Sequence, residues 1–272
     1  MNKPIYKLLD WIDESKIDWY SLSENLNAID ILVINKNKID WNWLSANENA
    51  IELLNENQDK INWWYLSKNP NAIQLLKANP DKIVWYLLNC NKNAIELLKE
   101  NPDKIAWDLL SSNPNAIELL KANLDKINWH IISSNENPSA IEILKANPDK
   151  IYWDFLSSNP RAIELLKANP EKINWNNLSE NPNAIELLKA NPDKINWYKL
   201  SANPNAIELL KENPEKINWE QLSKNPSICR IDYKQMRINF EPLAEEIIKE
   251  VMHPRRVFKN PNYDYLEELF GD

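Results

Sequence analysis

The chain has 272 residues, of which 32 are basic and 40 acidic, and its net charge of -8 offers no basic platform for nucleic acid or an anionic membrane. A single glycine, Gly271, excludes the phosphate-cradling loops of the P-loop and dinucleotide-binding kinds, which need glycine where backbone must approach a ligand closely. Only Cys90 and Cys229 occur, far apart, which predicts free thiols in a reducing, intracellular setting, and no apolar run is long enough to span a bilayer.

Residues 1–14 read as an amino-terminal cap, with a helix over 2–13 that carries Leu8, Leu9 and Trp11. The stretch Met1–Lys7 shows no apolar signal segment, in keeping with an intracellular chain.

Residues 15–225 then repeat one short phrase, Ile-x-Trp-x-x-Leu/Ile, ten times. Its tryptophans are Trp19, Trp41, Trp63, Trp85, Trp107, Trp129, Trp153, Trp175, Trp197 and Trp219, spaced by 22 residues except for one step of 24. A fixed period of this kind marks a stacked array in which each unit completes its core against its neighbours. The fold class predicted is all-α: an α-solenoid of about ten two-helix repeats with helical caps at both ends.

Within a unit such as 203–222, two Asn-Pro pairs lie about ten residues apart, each suited to open a helix, with Asn as N-cap and Pro at the first helical position. The same pair suits the close of the preceding helix, where asparagine tolerates left-handed backbone in place of glycine. Ala206, Ile207, Leu209 and Leu210 form one apolar stripe on the first helix. Ile217, Trp219 and Leu222 do not fall on one helical face, so a bend is expected after the isoleucine. The residue before Trp is Asp or Asn in seven units, a fresh N-cap for a short turn; Val84, Ala106 and Tyr152 stand there in the others.

The nine Ala-Ile pairs step by 22 residues except from Ala116 to Ala140, which places a two-residue insertion near 135–138, in an inter-helix loop. Stacked at about 8–10 Å per layer, ten units would make a rod on the order of 90–100 Å long, with the tryptophans in its spine and capped ends. Residues 226–272 read as a carboxy-terminal cap or a small helical module, with an amphipathic helix over 241–252 and a closing stripe from Tyr263 to Phe270.

The text Asn-Pro-Asn-Ala-Ile-Glu-Leu-Leu-Lys-Ala-Asn-Pro-Asp-Lys-Ile-Asn-Trp at 181–197 resembles the short tryptophan-containing helical repeats of hypothetical proteins from large DNA viruses of protists and algae. The resemblance covers about residues 15–225, and His253-Pro254-Arg255-Arg256 is similar to the tail that ends such proteins. It implies a viral protein acting in the infected cell or in the particle, and it carries over no functional residue.

Against this constant frame two places vary, one and two residues after each Trp, and in a solenoid such places hold specificity. The second place is apolar in six consecutive units: Trp43, Tyr65, Leu87, Leu109, Ile131 and Phe155, beside which Trp64 and Tyr86 occupy the first place. These eight are the candidate partner-binding residues, a ribbon that docks a protein or peptide; the bland alternative is that they pack into a wider interior.

The lysines Lys38, Lys60, Lys82, Lys104, Lys126, Lys150, Lys172, Lys194 and Lys216 form a ladder that reads as a solvated face, since eight of the nine follow Asp or Glu. His130 and His253 have no ligand or catalytic neighbour at useful spacing, and Arg255, Arg256 and Lys259 form a small basic cluster. No catalytic, cofactor or metal residues are identified. The expectation is a monomeric, non-enzymatic interaction scaffold whose partner is a protein or peptide, with neither a membrane nor nucleic acid as its target. A particle protein using the rod as spacer, and a helical-repeat nucleic-acid binder, are the alternatives.

Overall fold

The computed structural model describes residues 4–251 and is an all-α repeat array, with two short strands, β1 (Tyr6–Leu8) and β2 (Cys229–Ile231), paired in one small sheet. The described residues form two compact bodies: 8–230, which holds the repeats, and 4–7 with 231–251.

Each unit contains a Trp helix of one turn or slightly more, such as Trp63–Ser67, and in the first nine units this is followed by an Ile helix such as Ile73–Ala78 and a single 3₁₀ turn such as Pro80–Lys82. The expected bend is there: Ile83 is extended at φ -67° and ψ 123°, which turns the chain into the next Trp helix. The residue before Trp caps that helix wherever it is Asp or Asn, as when Asn128 accepts from the His130 and Ile131 amides. Val84, Ala106 and Tyr152 make no such bond.

The two Asn-Pro pairs divide their labour. The first caps by accepting, as Asn69 does from the Asn71 amide. The second, such as Asn79, makes no cap bond to the turn it opens and instead donates to the Leu75 carbonyl at 3.0 Å, closing the helix behind it. No residue with positive φ occurs among the described residues, so the left-handed asparagine cap expected from the sequence is not used; φ near -130° with this side-chain bond replaces it.

The insertion lies at the expected loop, where it is absorbed as helix. Asn137 caps a continuous nine-residue helix, Pro138–Ala146, where other units have a turn, 3₁₀ in four of them, and a shorter helix.

The fully buried apolar side chains are leucines and alanines with Ile132 and Ile228, for example Leu44, Leu66 and Leu88 three residues after Trp, and Leu54, Leu76 and Ala72 from the Ile-helix segments. The repeat tryptophans are only half-buried, which corrects the expectation that they form the spine. In nine units the ammonium of the next unit's lysine lies 4.0–5.1 Å over the indole, from Lys38 over Trp19 to Lys16 over Trp219. The lysine ladder is therefore a set of lids on half-buried rings, with Lys104 the exception: its ammonium turns to Asp103 at 2.8 Å.

The spine is polar. Asn25, Asn47, Asn69, Asn91, Asn113, Asn135, Asn159, Asn181, Asn203 and Asn225 are at most 1% exposed. Each donates both side-chain N–H groups to the preceding unit, as Asn113 does to the Asn89 and Asn91 carbonyls at 3.0 and 2.9 Å. Each also accepts from the amide two residues on, as Asn113 does from Asn115 at 3.0 Å. Beside it runs a serine ladder: Ser111 donates to the Trp107 carbonyl and accepts from the Asn128 amide of the next unit at 3.0 Å, with Asn89 standing in for serine once. Every buried side-chain polar atom among the described residues has a partner, as the low interior dielectric demands.

Both ladders continue from the last unit to the first. Asn25 donates to the Ser223 and Asn225 carbonyls at 2.9 and 2.8 Å, and the Asp18 amide donates to Ser223 Oγ at 3.0 Å. Asn27 reaches the Pro226 carbonyl, the Leu9 amide donates to the Ile228 carbonyl at 2.8 Å, and Arg230 pairs with Asp10. The 8–230 body is thus a ring of ten units, each turning the chain by roughly 36°. A ring has no exposed final layer. The extended rod and its terminal caps give way to a seam in which the amino-terminal residues complete the tenth unit, and 6–8 form β1 where a capping helix was expected.

In the second body the helix Tyr233–Val251 begins earlier than the expected 241–252, because Asp232 accepts from the Gln235 amide at 3.1 Å and opens it there. His253, Arg255, Arg256, Lys259 and the Tyr263–Phe270 stripe lie outside the described residues.

Candidate partner-binding face

Neighbouring Trp helices approach more closely than neighbouring Ile helices do, so in a closed ring they occupy the smaller radius. At about 100° per residue, the buried Leu and Ser of each Trp helix point away from the centre, and the residues one, two and five after Trp point toward it. The two variable places therefore line the central face of the ring. The first is exposed in all ten units; the second is half-buried in most.

The structure brings the eight candidate residues together on this face. Trp43, Tyr65, Leu87, Leu109 and Ile131 are half-buried, Phe155 is 37% exposed, and Trp64 and Tyr86 are 55% and 56% exposed. None is fully buried, the condition that would have turned the ribbon into ordinary interior. Trp43 and Tyr65 stand with ring centroids 5.3 Å apart, tilted by 44°. His130 packs between Phe155, at 4.1 Å, and Tyr152, at 4.5 Å. Sequence reasoning dismissed His130 for want of ligands and overlooked this aromatic company, although its place one residue after Trp was the signal.

Six units thus form an apolar arc. The remaining four, units 8, 9, 10 and 1, place Asn177, Lys199, Gln221 and Ser21 at the same station. Their polar groups satisfy one another: Lys199 donates to Asn177 at 2.7 Å and pairs with Glu180 at 3.2 Å, and Gln221 donates to the Tyr198 hydroxyl at 2.8 Å. Lys224 pairs with Glu24 and lies 5.3 Å over the Trp43 ring, where the polar arc meets the apolar one.

Away from this face, the Ile helices carry Glu-Lys pairs three residues apart, such as Glu164 with Lys167 at 2.9 Å, which are exposed and add only tenths of a kcal/mol each. Cys229 is buried, and that burial together with the Asp30 carboxylate pushes its thiol up to about 12, an unreactive state. Cys90 is half-buried and accepts a weak bond from the Ser112 hydroxyl at 3.7 Å. Among the described residues no group of three or more His, Cys, Asp or Glu is placed to hold a metal, and no helix is long and apolar enough to cross a membrane. No family model matches the chain, and no curated protein or solved structure matches it.

Proposed function

We propose that the protein is a non-enzymatic interaction scaffold whose central face binds an apolar segment of another protein. The observation that carries this reading is the asymmetry of the face: one station of a tenfold frame is apolar or aromatic in six consecutive units and polar and self-satisfied in the other four. The fully buried side chain three residues after Trp is leucine in both arcs, with Ile132 the one exchange, although the Ile helices of the apolar-arc units bury more of their apolar residues, at Leu53, Leu75, Ile117, Ile141 and Ile143. Aromatic anchors set in a fixed frame suit the few residues that dominate a protein interface.

The spacer reading depended on a rod whose length grows with each unit, and a closed ring has no such length. The nucleic-acid reading took each unit to read one base, and the lysine series that would have to track the phosphates sits with its ammonium groups over tryptophans at 4.0–5.1 Å in nine units. A viral setting, with the host cell or the particle as location, stays part of the proposal on the strength of the repeat motif alone.

The test is affinity capture with the tagged protein beside the Tyr65→Ala, Phe155→Ala double variant. The expected result is a protein held by the unaltered chain and weakened at least about tenfold in the variant at unchanged fold. Equal capture by both would remove the central face from the function, and binding of single-stranded nucleic acid that falls steeply with salt would favour the other class.

A further inference from the structure

The arc is not uniform in charge, and this bears on what fills it. At the first variable place, units 5, 6 and 7 carry Asp108, His130 and Asp154 beside Leu109, Ile131 and Phe155. Each carboxylate accepts one amide bond from the next unit, Asp108 from Asn128 at 3.2 Å and Asp154 from Asn174 at 2.8 Å. These bonds fix the carboxylates in place and leave their charge uncompensated: neither forms an ion pair among the described residues. In the polar arc Glu180 and Glu24, five residues after Trp, have Lys199 and Lys224 as partners, while Glu220 at the first variable place stands alone there as a single carboxylate held by the Gln221 side-chain amide at 3.4 Å, with no apolar side chain at its second place.

Resting on the scaffold reading above, we infer that the occupant of the apolar arc is a cationic amphipathic segment of a partner protein. Its apolar side chains seat on Leu109, Ile131 and Phe155, and its lysines or arginines meet Asp108 and Asp154. Two fixed carboxylates beside an apolar strip attract such a segment and reject an acidic one by like-charge repulsion. Held by amide donors, they also lose little freedom when the cation arrives.

Titration calorimetry with three short synthetic peptides tests this: a Leu/Lys amphipath, its Leu/Glu counterpart and a Ser/Lys control, each run against the full chain at low salt. The Leu/Lys peptide is expected to bind at least about tenfold more tightly than either of the others. Asp108→Asn with Asp154→Asn should weaken it about tenfold, whereas Glu164→Gln with Glu186→Gln, which removes the same charge from the outer helices, should change it less than about twofold. Equal weakening by the outer pair would reduce the effect to bulk charge and overturn the inference. If the Leu/Glu peptide binds as well and is lost in Tyr65→Ala, Phe155→Ala, the cationic preference falls while the scaffold reading stands. If no peptide binds, the cationic inference falls on this test, and the scaffold reading is decided separately by whether capture depends on Tyr65 and Phe155.

Discussion

The asparagine spine and the central face lie one short helix apart and follow the same tenfold geometry, yet one admits no variation and the other is divided into two unlike arcs. The difference is one of degrees of freedom. A spine asparagine must donate twice backward and accept once forward inside a dry interior, and only a side-chain amide of that length does all three. A side chain on the central face has solvent or its immediate neighbour as a partner, so substitution there costs little and specificity can accumulate.

The comparison breaks most sharply at Asn113. Alanine there orphans the Asn89 carbonyl and the Asn115 amide and leaves the Asn91 carbonyl with the Ala94 amide alone, a loss expected to be about 3 kcal/mol, or several degrees in melting temperature for a body of this size. Asn25→Ala makes the same cut at the seam and is expected to cost as much, since its two bonds have the same lengths to within 0.2 Å. A cost below about 1 kcal/mol at Asn25, with the full cost at Asn113, would mean that the ring opens in solution between its tenth and first units. Asn115→Ala is the control: it removes one exposed bond, to the Lys92 carbonyl, and should cost under about 1 kcal/mol. Arg161 and Ser227 already stand at that station.

On the face the order of effects reverses. Tyr65→Ala with Phe155→Ala removes partly exposed rings and should lower stability by about 1–2 kcal/mol, well short of the orphaning at Asn113, while reducing partner binding at least about tenfold. Chemical denaturation and capture on the same preparations separate the two effects. A double variant as unstable as Asn113→Ala would place these rings with the interior.

Much of this frame is legible in the sequence, because it arises within one unit. The period, the bend after isoleucine, the Asp or Asn cap before Trp and the site of the insertion all depend on residues at most a few positions apart. The spine was legible too, though read only as a row of caps. Acceptors alone suffice for a cap, so Asp and Asn alternate before Trp at Asp18, Asp40 and Asn62; at the spine station all ten residues are Asn, even where the following proline is replaced by Leu26, Glu48, Lys92 or Glu136. That exclusiveness signals a donor. Closure is different: a turn of roughly 36° per unit is the sum of small packing offsets that no residue type announces. Its trace is the pair of incomplete units at the ends, Glu14-Ser15-Lys16 without an Ile helix before it and Asn225-Pro226-Ser227-Ile228 without one after it.

Ala106 sharpens the contrast by addition. Its backbone already holds the extended N-cap geometry, φ -100° and ψ 96°, but its side chain gives nothing to the first turn of Trp107–Leu110. Ala106→Asn should supply the bond that Asn128 makes one unit later and raise stability by about 0.5–1 kcal/mol, read as a higher denaturation midpoint.

The smallest expected effect concerns the lids. Lys194 lies 4.4 Å over Trp175, and its methylene stem covers a ring that the leucine core leaves half-exposed. Lys194→Ala should cost about 0.5–1 kcal/mol, most of it retained at high salt because contact between stem and ring is not screened. Lys104→Ala is the internal reference, since that ammonium pairs with Asp103 on the surface and leaves Trp85 without a lysine above it. Its cost should be near zero at any ionic strength. Equal costs at the two positions would mean that the lysine over the indole, stem and cation together, adds nothing, and that the lysine series is retained for its charge on the surface.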